Sequence, residues 1–497
     1  MKQNNQIKFG AVLSYVAIGI NVLAGIIYTP WMIRQIGTSD YGLYTLSNSL
    51  ITLFLVDFGL SSATSRFLSK YVAEGKQEEA NNFIGVVYKL YIIVDIVILA
   101  ALMVMYFSIE KIYVNLTPDE LAKLKIIYGL SALYAIISFP FVTLNGILTS
   151  YEKFIQLKLA DIIYRLFFVG FTVFALCMGM GLYALVIVNV FSGLCIIVYK
   201  IIIIKGTTPI RVNFKCNDKS FYKPIFKFTF FTTIATLAQR LIFNVTPSIL
   251  GIVANSKAIA VFGVVSTIEG YTYIITTAIN GMFMPKVSRI YANDKDKNIM
   301  PIMIKVGSFQ FAINMFVVVA FALLGETFIK LWMGDAYSEA YIGILLVIIP
   351  GIFYNSLNIA TTAMEVQNKV KIIALITVAV GCINVGLSSV LSKFFGVIGA
   401  CISIFVAYMI RALICHIVYK KILKLDMLSF VKNCYIRIIV PVIFTLIFGV
   451  VLNYLIPQQS WLCLIGKGIV LVIIYATTLI VFCLSKDERN KILHSRG

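Results

Sequence analysis

Apolar residues run through this chain in long blocks, neither alternating nor confined to one helical face. The blocks are separated by short stretches rich in Lys, Arg, Asp, Glu and Gly. About 20 apolar residues of helix cross the hydrocarbon core of a bilayer. A block that is apolar all round has no face to offer water. The pattern therefore predicts transmembrane helices near 9–33, 42–64, 83–107, 122–147, 157–178, 182–204, 229–252, 257–282, 301–325, 340–363, 370–392, 397–420, 433–455 and 461–484. Pro140 interrupts the fourth block, and Pro30, Pro247, Pro350 and Pro441 lie in or at the ends of others. Each removes a backbone donor and favours a kink. The expected fold is an all-α polytopic membrane protein of about fourteen helices.

Composition strengthens that reading. Of 497 residues, 60% are hydrophobic and 13% charged, and the mean hydropathy is +0.93. A water-soluble exterior of this size needs more solvated groups. The net charge of +20 does not point to nucleic acid, because the basic residues sit between apolar blocks and form no continuous stripe. Their distribution is lopsided instead. With the N-terminus inside, thirty Lys and Arg fall in inner loops and seven in outer ones. That bias puts both termini in the cytoplasm. The first block follows Lys2 and Lys8, is as long as a span and has no small-residue cleavage site after it, so it reads as a helix and not a leader. Nine scattered cysteines and two histidines, His416 and His494, make no metal-ligand spacing, and no cofactor is expected.

The chain repeats itself. Arg66–Gly75 resembles Pro285–Asp294, each with Ser followed by a base (Ser69-Lys70, Ser288-Arg289). Asn145, Thr149 and Glu152 match Asn358, Thr362 and Glu365, and Gly181-Leu-Tyr-Ala184 matches Gly396-Val-Ile-Gly399. The offsets drift only slightly. Spans 1–6 therefore pair with spans 7–12 as parallel repeats related by an axis along the membrane normal. The expected organisation is an N-lobe at 1–204, a basic cytoplasmic linker at 205–228, a C-lobe at 229–421, and two further spans with a cytoplasmic tail at 422–497. Two such lobes form a cleft, the arrangement transporters use to expose a site alternately to each side.

Polar residues inside the spans are the candidates for that work. Thr229, Thr233, Thr236, Arg240 and Asn244 recur every three or four residues and share a helical face. A guanidinium at mid-membrane costs roughly 2.5–3.5 kcal/mol on insertion scales. Arg240 therefore needs a cavity or a partner: an anionic substrate group, or Glu269 on the next span. Span ten carries Gly351, Asn355, Asn358, Thr362 and Glu365, and span four offers Asn145, Thr149 and Glu152. Such amides and hydroxyls suit sugar hydroxyls, or bond helix to helix. Arg411 is a second cationic candidate. Asp57, which can pair with Lys89, Asp95 and Glu269 are candidates for ion coupling or gating, with Gly59 as a bending point. Asp161 and Arg165 have the order of a helical ion pair. No GxxxxGK[ST] motif occurs, so transport is expected to run on an ion gradient or the substrate's own gradient.

The segments Ile36-Gly-Thr-Ser-Asp-Tyr-Gly-Leu-Tyr44, Asp57-Phe-Gly-Leu60 and Ala63-Thr-Ser-Arg66-Phe67, within a 6+6+2 plan, resemble the Wzx-type polysaccharide (O-antigen or capsule) flippases. These belong to the multidrug/oligosaccharidyl-lipid/polysaccharide exporter superfamily. The resemblance implies translocation of a polyprenyl-diphosphate-linked oligosaccharide from the cytoplasmic to the outer leaflet. It also implies a cationic cavity holding Arg240, and a polysaccharide polymerase and glycosyltransferases as partners. The rivals of the same fold are a cation-coupled multidrug exporter, which Asp95 and Glu269 would suit, and a peptidoglycan-precursor flippase. A membrane-bound glycosyltransferase is disfavoured, because no loop exceeds roughly 25 residues.

Overall fold

A computed structural model describes residues 3–216, 218, 221–280, 283–293, 298–367, 369–457 and 460–483. Among these residues the regular structure is helical throughout, and eleven helices are long and apolar enough to cross a membrane. The chain divides into two compact units, Met1–Ala260 and Val261–Gly497.

The first unit holds α1 (Gln3–Ile36), α2 (Thr38–Phe54), α3 (Leu60–Ala73), α4 (Gln77–Ile112), α5 (Pro118–Ser138), α6 (Thr143–Ser150), α7 (Phe154–Cys177), α8 (Gly181–Thr207), α9 (Tyr222–Phe243) and α10 (Thr246–Val253). α11 (Ser256–Asn280) begins in it and continues into the second unit. The second unit adds α12 (Met284–Asn293), α13 (Met300–Met333), α14 (Glu339–Asn355), α15 (Asn358–Val366), α16 (Val370–Ile422), α17 (Met427–Phe430), α18 (Arg437–Leu455) and α19 (Trp461–Cys483).

The difference between eleven helices and fourteen expected spans has local causes. The span at 42–64 is split between α2, which has only 17 residues, and α3. The spans at 370–392 and 397–420 share α16. Its 53 residues would reach about 80 Å if straight, far beyond a bilayer core of about 30 Å. Gly396 breaks it, with φ 53° and ψ −128°. The span at 257–282 falls on α11, but its last two residues lie outside the described ones. So do the end of the last span and the tail.

Breaks recur at matched places in the repeat. α5 gives way to a 3-10 turn, Phe139–Val142, at Pro140 before α6 begins. Its counterpart is the turn between α14 and α15 at Ser356 and Leu357. Gly181 and Gly396, paired by the repeat, both have positive φ, 59° and 53°. The division by contacts falls at Ala260, later than the expected linker. Contacts follow which helices touch, and α9 and α10 pack on α2. The repeat follows sequence order, so the two divisions need not coincide. The linker itself is docked: Arg211 N–H donates to Asn81 Oδ1 at 2.8 Å, and Asn213 Nδ2 to Asn82 Oδ1 at 2.6 Å. A side chain on Gly85 of α4 would collide with the Asn213 carbonyl.

A polar clasp joins α2, α5 and the start of α11. Thr117 caps α5 in a capping box with Glu120. The Glu120 carboxylate also accepts from Ser39 Oγ at 2.5 Å and from Ser256 Oγ at 2.6 Å. Gly42 makes this approach possible, because a Cβ there would overlap the Ser256 carbonyl.

In the second unit, the last two spans fasten to α13. Tyr475 Oη donates to the Ala312 carbonyl at 2.8 Å, and Asn453 Nδ2 to the Leu323 carbonyl at 2.8 Å. The core beneath is aromatic: Phe311 stacks on Tyr435 with ring centroids 4.6 Å apart, and Phe353 meets Tyr435 edge-on at 5.4 Å. Such pairs add about 0.5–1.5 kcal/mol beyond their burial.

The tight turn of α16 provides a test. A Cβ on Gly399 would collide with the backbone of Leu391, whereas Gly386 has nothing within 4 Å. Gly399→Ala should cost about 1–3 kcal/mol by overpacking and lower the thermal midpoint of the detergent-purified protein, while Gly386→Ala should leave it unchanged.

Candidate functional site

The break between α2 and α3 is built from Asp57, Phe58 and Gly59. Phe58 and Gly59 have φ 51° and 68°, and the Asp57 carboxylate accepts from the Gly59 N–H at 3.0 Å. This is an Asx turn, which lets an aspartate reverse the chain locally. The break strands carbonyls at the end of α2, where four normally lack a helical partner. Arg240 on α9 reaches them: its Nη1 donates to the carbonyls of Thr52 and, at 2.9 Å, Leu55. The guanidinium is also beside the Asp57 carboxylate. Arg240 thus caps a broken helix with one nitrogen, Nη1, and among the described residues its Nε and Nη2 make no further bond. Lys89, expected to pair with Asp57, donates to the Cys216 carbonyl at 2.9 Å, holding the linker against α4.

A second polar place in this unit lies at the α5–α6 bend. Asn145, Asp161, Tyr164, Tyr134 and Lys200 line a cavity of about 260 Å³. Lys200 Nζ donates to Asn145 Oδ1 at 2.8 Å, and Asp161 bonds Lys158 at 3.3 Å rather than Arg165. Asn145 was expected to line a site. Lys200 was missed, because at the end of an apolar block it looks like one more loop cation.

In the second unit, Glu269 faces a narrow pocket with Thr272, Asn314, Gly351 and Asn355. Arg411 is buried on α16. Its Nη2 donates to Tyr354 Oη at 2.7 Å, and the guanidinium stacks 3.8 Å above the same ring and 5.6 Å from that of Tyr408. A guanidinium over an aromatic face is a favourable place for a desolvated cation. Arg411 therefore supports the α14–α16 packing.

The other expected residues scatter. Asn244 ends α9, and Thr236 on the same helix is exposed. Asn358 opens α15, and its carbonyl accepts from Thr362 Oγ at 3.0 Å, so that hydroxyl is spent on its own helix. Asp95 sits on α4 among the exposed Ile92, Ile96 and Leu99, with Oδ1 buried and no hydrogen-bond partner among the described residues.

A feature with no warning in the sequence is a groove of about 720 Å³ between α13, α18 and α19. Its floor is apolar, with Phe309, Ala312, Leu479 and Ile480. One end carries Lys305, Arg437, Asn433 and Ser308. Both cations are exposed.

This fold recurs in solved transporters. The chain superposes on the lipid II flippase MurJ in an inward closed conformation with a TM-score of 0.69 and 14% identity, covering 96% of this chain and 98% of that one. An inward-facing multidrug resistance MATE family transporter of the MOP superfamily gives 0.70 and 13%, over 82% and 96%. A MOP superfamily transporter from Pyrococcus furiosus gives 0.62 and 13%, over 84% and 94%. The chain thus shares the fold of these solved structures. The model of the polysaccharide biosynthesis protein family matches residues 8–291, and the chain belongs to that family. The uncharacterized membrane protein EpsK of Bacillus subtilis (strain 168) is 20% identical over 509 residues, covering 98% of this chain and 97% of that one.

Removing the Arg240 side chain leaves two backbone acceptors unmet, at about 1–3 kcal/mol for a buried group. Arg240→Ala should therefore lower the thermal midpoint in detergent, and Arg240→Lys should recover part of the loss. Equal midpoints for the wild type and the Ala variant would refute the capping role.

Proposed function

We propose that this protein is a flippase. It carries a polyprenyl-diphosphate-linked oligosaccharide from the cytoplasmic to the outer leaflet by alternating access, for cell-surface polysaccharide biosynthesis. The observation that carries the reading is the groove of α13, α18 and α19. An apolar trough open to the lipid, with Lys305 and Arg437 at one end, matches an amphiphile with a long hydrocarbon tail and an anionic head. Cations recognise phosphate oxygens with strong charge-assisted bonds. The distribution of Lys and Arg among the loops puts that end on the cytoplasmic side, where such a lipid is loaded. Arg240 supplies a further cation with donors to spare for the diphosphate or the sugars.

Family membership supports the polysaccharide context, and the likeness to a lipid II flippase supports a lipid-linked substrate for this fold. A polymerase and glycosyltransferases of the same pathway are the partners this reading calls for. A cation-coupled drug exporter is the competing reading, supported by Glu269 in its pocket.

Complementation tests both. In a strain lacking the protein, the wild-type chain should restore surface polysaccharide. Lys305→Glu combined with Arg437→Glu should reduce it at least tenfold at equal protein level, because the groove end is then anionic. Full restoration by the double variant would overturn the reading. Expression in a drug-sensitive host should leave resistance unchanged, and a clear rise would favour the exporter.

A further inference from the structure

We propose that the cavity at the α5–α6 bend is a subsite for a single sugar ring carrying a carboxylate. The proposal rests on the flippase reading and narrows its substrate to oligosaccharides containing an acidic sugar.

The cavity is assembled from four elements of one unit. Pro140 and the 3-10 turn swing α6 away from the axis of α5, opening space that α7 and α8 border. Gly193 on α8 shapes one wall. A Cβ there would collide with the Tyr134 hydroxyl, so only glycine lets that ring lie against the α8 backbone. Tyr164 shapes the opposite side. Its hydroxyl donates to Asn189 Oδ1 at 2.6 Å, which holds the ring in place. The volume, about 260 Å³, is below the range of roughly 300–1,000 Å³ typical of drug-sized ligands. It suits one monosaccharide.

The polar lining indicates the ligand's charge. Asp161 is balanced by Lys158 at 3.3 Å. Lys200 is half-buried near the end of a membrane-spanning helix, and its bond is to a neutral amide oxygen, Asn145 Oδ1, at 2.8 Å. An ammonium has three donors, and among the described residues no carboxylate lies within ion-pair distance of this one. A cation kept in an apolar span calls for an anionic partner. Asn145 turns its oxygen to Lys200, which leaves the amide Nδ2 for ring hydroxyls. Two tyrosine rings, an amide and a cation with no carboxylate at ion-pair distance among the described residues form a set that accepts a uronic-acid-type ring: apolar faces against the rings, hydroxyls to the amide, carboxylate to Lys200.

Ligand-detected NMR titration of the full chain in detergent tests this, with methyl β-D-glucuronide, methyl β-D-glucoside and inorganic phosphate as probes. The wild type should bind the glucuronide at least tenfold more tightly than the glucoside, and phosphate should not displace it at equal concentration. Lys200→Gln should abolish the preference while glucoside binding persists, and Gly193→Ala should weaken both sugars by pushing Tyr134 into the cavity. Equal wild-type affinity for the two glycosides overturns the proposal whether or not the variants fold. So does displacement by phosphate, which would make the site a plain anion site. A chain that restores surface polysaccharide but lacks the preference loses only this subsite. A chain that keeps the preference but fails complementation loses the flippase reading.

Discussion

The structure depends on one constraint: a peptide group released inside an apolar slab must find a partner within the protein. Helices here break repeatedly within spans, and each break is answered locally. Asp57 turns its carboxylate onto the Gly59 N–H, and Arg240 crosses from α9 to take the carbonyls that α2 leaves behind. The same constraint governs the hydroxyls. Thr64, Thr149, Thr172, Thr233 and Thr362 each donate to a carbonyl four residues back in their own helix. A threonine so occupied has no proton left to donate to a ligand and can only accept from one.

That is why a stripe of polar residues was an incomplete guide to the site. Spacing along span ten put Asn355 and Thr362 on one stripe, but it could not show that Asn355 shares a pocket with Glu269 or that the Thr362 hydroxyl donates to the Asn358 carbonyl. Arg240 stood out because a guanidinium at mid-membrane has to be accommodated. Its partner was not legible, since the carbonyls of Thr52 and Leu55 exist as acceptors only once α2 stops at Phe54. Arg411 was legible as a buried cation but not as a stacking one, because Tyr354 lies 57 residues away. The apolar blocks, by contrast, fall on helices among the described residues, since length and hydropathy are local quantities, while their ends and breaks differ by several residues. The two spans expected at 370–392 and 397–420 run end to end in α16 and are separated by a single glycine, Gly396, whose backbone is not helical. The groove was invisible for a related reason. Lys305 and Arg437 lie far apart in the sequence and belong to different helices, and each alone looks like an ordinary topological charge.

The two units carry complementary chemistry. The first contains a small polar cavity with an ammonium hydrogen-bonded to an amide, and the second an apolar groove with cations among its lining. Each is lined by residues of its own unit alone. An amphiphile with a bulky polar head and a long hydrocarbon tail needs both kinds of surface, because no single environment solvates its two ends.

Gly181 and Gly396 offer a different lesson. Most side chains in the two repeats have diverged, so the kinship of the halves survives in a few scattered matches. These two positions keep glycine for a reason independent of any substrate: the backbone turns there through angles that a Cβ opposes. Selection can rewrite a pocket by changing side chains, but it cannot replace these residues without rebuilding the turn. At these two positions it is the path of the backbone, and not any ligand, that dictates the residue.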